Sequence, residues 1–282
     1  PLMQHLKRYF VVPFLLCCVL ASAHTLWHIA TTSSVDPAWY GAAIALLPML
    51  GFMIFLGIGS RARTSARMPL QCLAAVAGAL LTLMGEQPAL PMVYAWVLGL
   101  GGVSAYVFWY SRLGRDANSV LVVGEPLPEF ELEDTDGNAI SSRRFLGRKA
   151  VLLFYRGNWC PLCVAQVREL ADQYSELADR GADVILISPQ PHKQTRELAA
   201  RFDVPLQFYV DRGGRASRQL DILHKDGIAL GISGYGNDTV LPTVLITDEA
   251  GTLLYADLTD NYRVRPEPAT FLSILDKDTA HA

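Results

Sequence analysis

The sequence predicts two fold classes in one chain: an α-helical membrane region of four spans, then an α/β domain with a central mixed sheet and helices on both faces. Three observations predict this. Up to about Tyr110 the 282-residue chain is mostly apolar, and Asp36 and Glu86 are its only acidic residues there. Beyond Asp116 the composition changes to mixed charge, Gly/Pro turns and short β-branched runs. Within that second half, apolar strands alternate with helical patterns in the order βαβα, followed by ββα, which layers helices over a sheet.

A bilayer core about 30 Å thick takes roughly 20 helical residues at about 1.5 Å each. The candidate spans are Tyr9 to about Ala30, Trp39 to about Gly59, Pro69 to about Met84, which is short, and Leu90 to about Tyr110. Pro13 and Pro48 lie inside two of them, which lipid-embedded helices tolerate. Trp39, Tyr106, Trp109 and Tyr110 sit near the ends, where amphipathic rings favour the interface. The first run is long and is followed by three more, so it reads as a retained helix rather than a cleaved signal peptide. Four runs with almost no ionisable residues argue against a buried soluble bundle.

Short-loop charge gives an orientation. Lys7 and Arg8, then Arg61, Arg63 and Arg67, then Arg112 and Arg115 all fall on one side, while the loops around 31–37 and 85–89 hold no Lys or Arg. The expectation is a multi-pass protein of a bacterial-type inner membrane, with the lipid bilayer as a partner and both termini cytoplasmic. A periplasmic redox domain is the alternative. Cys17, Cys18 and Cys72 lie in apolar runs and read as packing residues. The expected organisation is a membrane domain over 1–112, a linker over 113–119 and a second domain over 120–282.

In the second domain, Val120 to Val123 opens the chain's soluble part. Gly124 to Pro128, Phe130 and Leu132 form an extended arm, closed by the turn Asp136-Gly137-Asn138. Ala150 to Tyr155 is a buried strand. A helix follows from about Pro161 to Arg180, with Val164, Val167, Leu170, Tyr174 and Leu177 at helical spacing and Gly181 as its stop. Asp183 to Ser188 is a strand, Gln194 to Phe202 a helix, Gln207 to Val210 a strand and Arg215 to Leu220 a short helix. Leu241 to Thr247 and Thr252 to Leu258 flank a turn as an antiparallel hairpin. Pro268 to Leu275 closes the chain as a helix.

The chemistry concentrates at Cys160-Pro161-Leu162-Cys163, which follows a buried strand and opens a helix. A free thiol with a pKa near 8.5 is only a few per cent thiolate at neutral pH, yet the thiolate is the nucleophile. Unpaired N–H groups at a helix start favour negative charge, so Cys160 is expected to be the acidic sulfur. Pro161 suits the first helical turn because it has no N–H to leave unsatisfied. Cys163 lies about one turn on, where it can resolve a mixed disulfide formed at Cys160, and the resulting bridge must be reduced by another dithiol. Trp159 stands beside the pair as a partly exposed contact for a partner. A zinc site would need two more ligands, and the domain has no other cysteine, with His192 and His224 isolated. No metal or cofactor is expected. In Leu241-Pro242-Thr243, Pro242 is either a plain strand-entry proline or a cis-proline facing the CxxC, with Leu241 backbone groups free to pair with a bound peptide.

From about Val123 onward the chain resembles the redoxin branch of the thioredoxin superfamily, which includes peroxiredoxin-like and alkyl hydroperoxide reductase/thiol-specific antioxidant proteins. The matching residues are Gly124-Glu-Pro-Leu-Pro-Glu-Phe130, Asp136-Gly137, Ser141, Phe154-Tyr-Arg-Gly-Asn-Trp-Cys-Pro-Leu-Cys163 and Leu241-Pro242-Thr243, with a lighter likeness over Asp257 to Pro266. The resemblance implies a thioredoxin-like fold, Cys160 as nucleophile, Cys163 as resolving partner and Pro242 as cis-proline. It departs from true peroxiredoxins at Gly157 and Leu153, where those carry Thr or Ser and Pro. It departs again at Leu241 and Pro242, near the place of their peroxide-polarising Arg. Arg156 is a candidate for that charge.

Two enzyme readings follow: a membrane-anchored thiol–disulfide oxidoreductase acting on disulfide-containing proteins, or a thiol peroxidase acting on peroxide with the same cysteines. A thioredoxin- or glutathione-type reductant would serve either. A copper-handling protein with His224 as third ligand, and a sensing module without turnover, are the readings from other classes. The net charge of −3, with no Lys/Arg cluster among aromatics, excludes a nucleic-acid partner.

Overall fold

The computed structural model describes residues 2–59, 61–86 and 89–279. Gln87 and Pro88, in the expected loop over 85–89, lie outside the described residues. Two compact units result, the first mainly residues 1–59 and 64–112, the second mainly 113–228 and 232–282.

The first unit is helical: α1 (Leu2–Thr31), α2 (Pro37–Ile58), α3 (Pro69–Thr82) and α4 (Ala89–Tyr110). Helix α1 starts well before the apolar run, because Gln4, Lys7 and Arg8 are good helix formers that a hydropathy reading leaves out. Leu6–Thr31, Pro37–Ile58 and Ala89–Tyr110 are long and apolar enough to cross a membrane. The 14 residues of α3 rise about 21 Å, less than a bilayer core. Asp36 caps α2, its carboxylate accepting from the N–H groups of Ala38 and Glu86, each at 2.8 Å. Helices α2 and α3 meet through glycine: a Cβ on Gly41 would lie 2.7 Å from the Gly78 carbonyl oxygen, so only glycine permits this approach. Much of α4, Val93–Gly102 and Ala105–Tyr110, is wound as a π-helix. Phe14, Cys18, Leu46, Met49 and Tyr106 pack in the interior, while Leu20, Trp27, Leu70, Leu73 and Val97 are exposed.

The second unit has nine strands among its described residues: β1 (Glu131–Glu133), β2 (Ala139–Ser141), β3 (Lys149–Phe154), β4 (Ala182–Ser188), β5 (Gln207–Val210), β6 (Leu223–His224), β7 (Thr239–Val240), β8 (Thr243–Thr247) and β9 (Leu253–Asp257). Seven form one sheet in the order β2-β1-β5-β4-β3-β8-β9, parallel across β5-β4-β3 and antiparallel elsewhere. Every residue of β3 and β8 is buried, as helices on both sheet faces require. The helices are α5 (Pro161–Asp172), α6 (Tyr174–Asp179), α7 (His192–Ala199), α8 (Arg215–Gln219) and α9 (Pro268–Thr279). This is the expected mixed-sheet α/β fold.

Three details differ from expectation. The single helix over Pro161 to Arg180 breaks at Gln173, whose φ of −101° and ψ of 12° leave the helical region. The expected linker 113–119 is packed: Leu113 belongs to the domain core, and Asn118 caps the turn that follows it through the Val120 and Leu121 N–H groups. The two-residue strands β6 and β7 pair as a separate ribbon, too short for any alternation to register in the sequence.

Candidate active site

Strand β3 runs out of the sheet at Phe154, and Tyr155 extends it by donating its N–H to the Ile187 carbonyl at 2.9 Å. The chain then turns at Gly157, whose φ of +141° favours glycine and where a Cβ would stand 2.8 Å from Trp159 Nε1. The turn is pinned from the β4–α7 connection. Asn158 donates its backbone N–H to Gln190 Oε1 at 2.9 Å, and its side-chain amide to the Gln194 carbonyl at 2.7 Å. Gln190, 1% exposed, also donates to Tyr155 Oη at 3.0 Å. Cys160 follows as the N-cap of α5 with Pro161 in the first turn, and Cys163 donates its N–H to the Cys160 carbonyl at 3.0 Å.

Both thiols are free and buried, Cys160 at 3% and Cys163 at 0% exposure. Trp159 is half-buried and Pro161 exposed beside them. The Arg265 and Arg156 charges act on both sulfurs, and one of them reaches Cys163 directly. Arg265 Nη2 lies 3.4 Å from Cys163 Sγ, and its Nη1 donates to Gln166 Oε1 at 2.5 Å. The Arg156 guanidinium stacks 4.5 Å over the Trp159 ring and 5.6 Å from the Tyr262 ring, and donates to the Gly227 carbonyl at 2.5 Å.

The electrostatics follow this geometry. Burial opposes charge on Cys163, but the hydrogen bond from Cys160, the Arg265 guanidinium, the Arg156 backbone N–H and the Arg156 charge outweigh it and bring its pKa down to about 5. Cys160 moves the other way, its proton retained by the hydrogen bond to Cys163 and by burial. The two sulfurs therefore hold one proton and one negative charge between them. The helix-start argument for an acidic Cys160 leaves out these groups: the Arg265 guanidinium and the Arg156 backbone donor meet the second sulfur of the pair. Tyr155, buried near that charge, is pushed up first by burial and then by Cys163.

The Leu241-Pro242-Thr243 segment enters β8 beside the end of β3, with Thr243 opposite Phe154 in the sheet. No cis peptide bond occurs among the described residues, so the expected cis-proline is corrected to trans, the isomer an X–Pro bond prefers. Nor are the Leu241 backbone groups free: the N–H donates to the Ile222 carbonyl at 2.8 Å, and the carbonyl accepts from Thr243 Oγ1 at 2.8 Å. Arg115 closes the loop by donating to the Pro242 carbonyl at 2.9 Å. This loop is satisfied within the domain and offers no ready edge to a peptide. Leu241, Pro242 and Thr243 are buried.

Among the described residues no three His, Cys, Asp or Glu side chains converge as metal ligands, so Cys160, Cys163 and His224 do not form the set that a copper-handling reading needs. The sequence reading missed Arg265 and Gln190. Arg265 is 102 residues from the sulfur it touches. Its one available signal was its place in the Asp257–Pro266 stretch of the family resemblance.

Residues 123–256 match the AhpC/TSA family. The chloroplastic peroxiredoxin Q of Oryza sativa subsp. japonica is 31% identical over 96 residues, covering 34% of this chain and 44% of that protein. The chain thus spans less than half the length of that peroxiredoxin. The thiol-disulfide oxidoreductase ResA of Halalkalibacterium halodurans is 24% identical over 159 residues, covering 56% of this chain and 80% of that protein. Among solved structures, peroxidoxin BcpB of Mycobacterium tuberculosis aligns over 55% of this chain and 96% of its own, with 22% identity and a TM-score of 0.45.

Proposed function

From the match of residues 123–256 to the AhpC/TSA family, we propose that the chain is a membrane-anchored thiol–disulfide oxidoreductase of the redoxin kind, working through a Cys160/Cys163 dithiol–disulfide cycle. The observation that carries this reading is a pair of buried free thiols one turn apart at a strand–helix junction, with a nearly buried guanidinium 3.4 Å from the second sulfur. Cys160 retains the little exposure the pair has and lies beside Trp159 and Pro161, so it meets the substrate disulfide. Its proton passes along the existing hydrogen bond to Cys163 as Cys160 attacks. A Cys160–substrate disulfide forms and the substrate's S–S bond breaks, releasing one substrate thiolate. Cys163 then gives up its proton to that thiolate and attacks Cys160 Sγ. The second substrate thiolate leaves, and the intramolecular disulfide is formed. A thioredoxin- or glutathione-type thiol supplies the two electrons that restore the dithiol.

A peroxidase reading has its own support. Arg265 places a guanidinium beside a sulfur, the polarising group that Leu241 and Pro242 do not supply, and relatives named peroxiredoxin Q align with the domain. Reduction of insulin disulfides and stopped-flow loss of hydrogen peroxide, measured on the same reduced protein, separate the two. The oxidoreductase reading expects rapid insulin reduction with a peroxide rate near that of free cysteine. Fast peroxide consumption with no insulin turnover reverses the assignment.

Anchoring rests on the three spanning-length helices, the short fourth and their exposed apolar side chains. The cytoplasmic orientation rests on the one-sided Lys/Arg distribution of the short loops.

A further inference from the structure

We propose that Arg265 takes the place of a proton on the reduced dithiol, so that the Cys160/Cys163 couple exchanges two electrons with one proton rather than two. The inference rests on the dithiol–disulfide reading above and names the residue that sets the couple's potential and pH dependence.

Arg265 is a nearly buried cation, 6% exposed, reaching Cys163 Sγ at 3.4 Å through one nitrogen and Gln166 through another. Among the described residues it makes no ion pair with a carboxylate, and Asp257 acts on it less than either sulfur does. A cation out of water needs a counter-charge, and the sulfur pair is the one in contact. The titratable and charged groups facing the sulfurs are Tyr155 beyond β3, Arg156 in the turn, Arg265 after β9 and, behind it, Asp257 of β9. Tyr155 is held neutral by burial. Two guanidinium groups thus oppose one carboxylate.

The electron count is the same with or without the charge, and the proton count is not. With Arg265 in place, the disulfide takes up two electrons and one proton, breaking the S–S bond to leave Cys160 as thiol and Cys163 as thiolate. With a neutral side chain there, the product is two thiols and the uptake is two electrons and two protons. In a two-electron couple each proton shifts the midpoint potential by about 30 mV per pH unit, the value of a tenfold change in equilibrium constant.

The test equilibrates the full-length protein with reduced and oxidised dithiothreitol between pH 6 and 8, the dithiothreitol supplying or taking the two electrons. Alkylation of free thiols reads the fraction reduced. The wild type is expected to show a slope of about 30 mV per pH unit and Arg265→Met a slope of about 59 mV. Arg265→Met should also disfavour reduction at pH 7 at least tenfold, about 30 mV. Arg265→Lys, which keeps the charge, should retain the one-proton slope. A two-proton slope in the wild type overturns the inference even if Arg265→Met fails to fold, and so does an unchanged slope in a folded Arg265→Met. A wild type that never forms the Cys160–Cys163 disulfide overturns the oxidoreductase reading itself, and this inference with it.

Discussion

Cys160 and Cys163 have different tasks in the proposed cycle, and single substitutions distinguish them. Cys163→Ser should leave attack possible but remove resolution, so a mixed disulfide with substrate accumulates at Cys160 and is visible by mass spectrometry. Cys160→Ser should form no such adduct with the same substrate and lose turnover. An adduct on Cys163 in that variant would reverse the roles. The shared proton also has a consequence for stability. Unfolded, both thiols titrate near the free-thiol value of about 8.5; folded, one proton leaves the pair well below that, at about 5, and the other is held above it. Between these values the unfolded chain binds more protons, so the reduced protein gains stability as pH rises from about 5 toward about 8.5, and the trend reverses above. Denaturant melts of reduced wild type and a Cys160→Ser/Cys163→Ser variant at pH 6 and 8 should show this gain only in the wild type. The spacing of the two cysteines and the strand before them made the pair legible. The cation beside them was not, because a helix start is a local feature and Arg265 arrives from a segment 102 residues away.

Element by element, the site depends on the β3–α5 turn being held by the β4–α7 connection. Gln190 alone ties Asn158 to Tyr155. Gln190→Ala leaves a part-buried N–H and a buried hydroxyl without this partner, and should cost about 1–3 kcal/mol of domain stability. Thermal unfolding of the reduced protein measures this, and Gln190→Glu, which keeps the acceptor, should cost less. Most elements were legible: β3, β4, β5 and the β8–β9 hairpin carry continuous apolar runs, and Pro161 and Gly181 punctuate their ends. The break at Gln173 has no breaker residue to announce it, and the two-residue strands β6 and β7 are too short to show a period despite the glycines between them. Gly41 and Gly78 read as ordinary apolar-run residues until the α2–α3 crossing shows two backbones in contact.

At the scale of the whole molecule, membrane insertion and orientation are the open tests. The protein should remain with membranes through alkaline carbonate washing and be released by detergent. In a variant with Cys160 and Cys163 replaced by Ser, a new thiol at exposed Glu249 reports the face of the redox domain. A membrane-impermeant maleimide should label Glu249→Cys in inverted vesicles and not in intact spheroplasts. The opposite pattern places the domain across the membrane from the cytoplasm, despite the arrangement of Lys and Arg.

Sequence by itself determined the two-part organisation, the helical first half, the α/β second half and the dithiol at its strand–helix junction. Each of these is written in residues that are neighbours along the chain, as hydropathy, periodicity or a two-residue gap. Tertiary structure alone decided that Arg265 and Gln190 complete the site, that the Pro242 loop is closed upon itself, and that a guanidinium reaches Cys163. Those outcomes depend on which side chains meet after the sheet is assembled, and burial then multiplies the effect of a single guanidinium on a single sulfur.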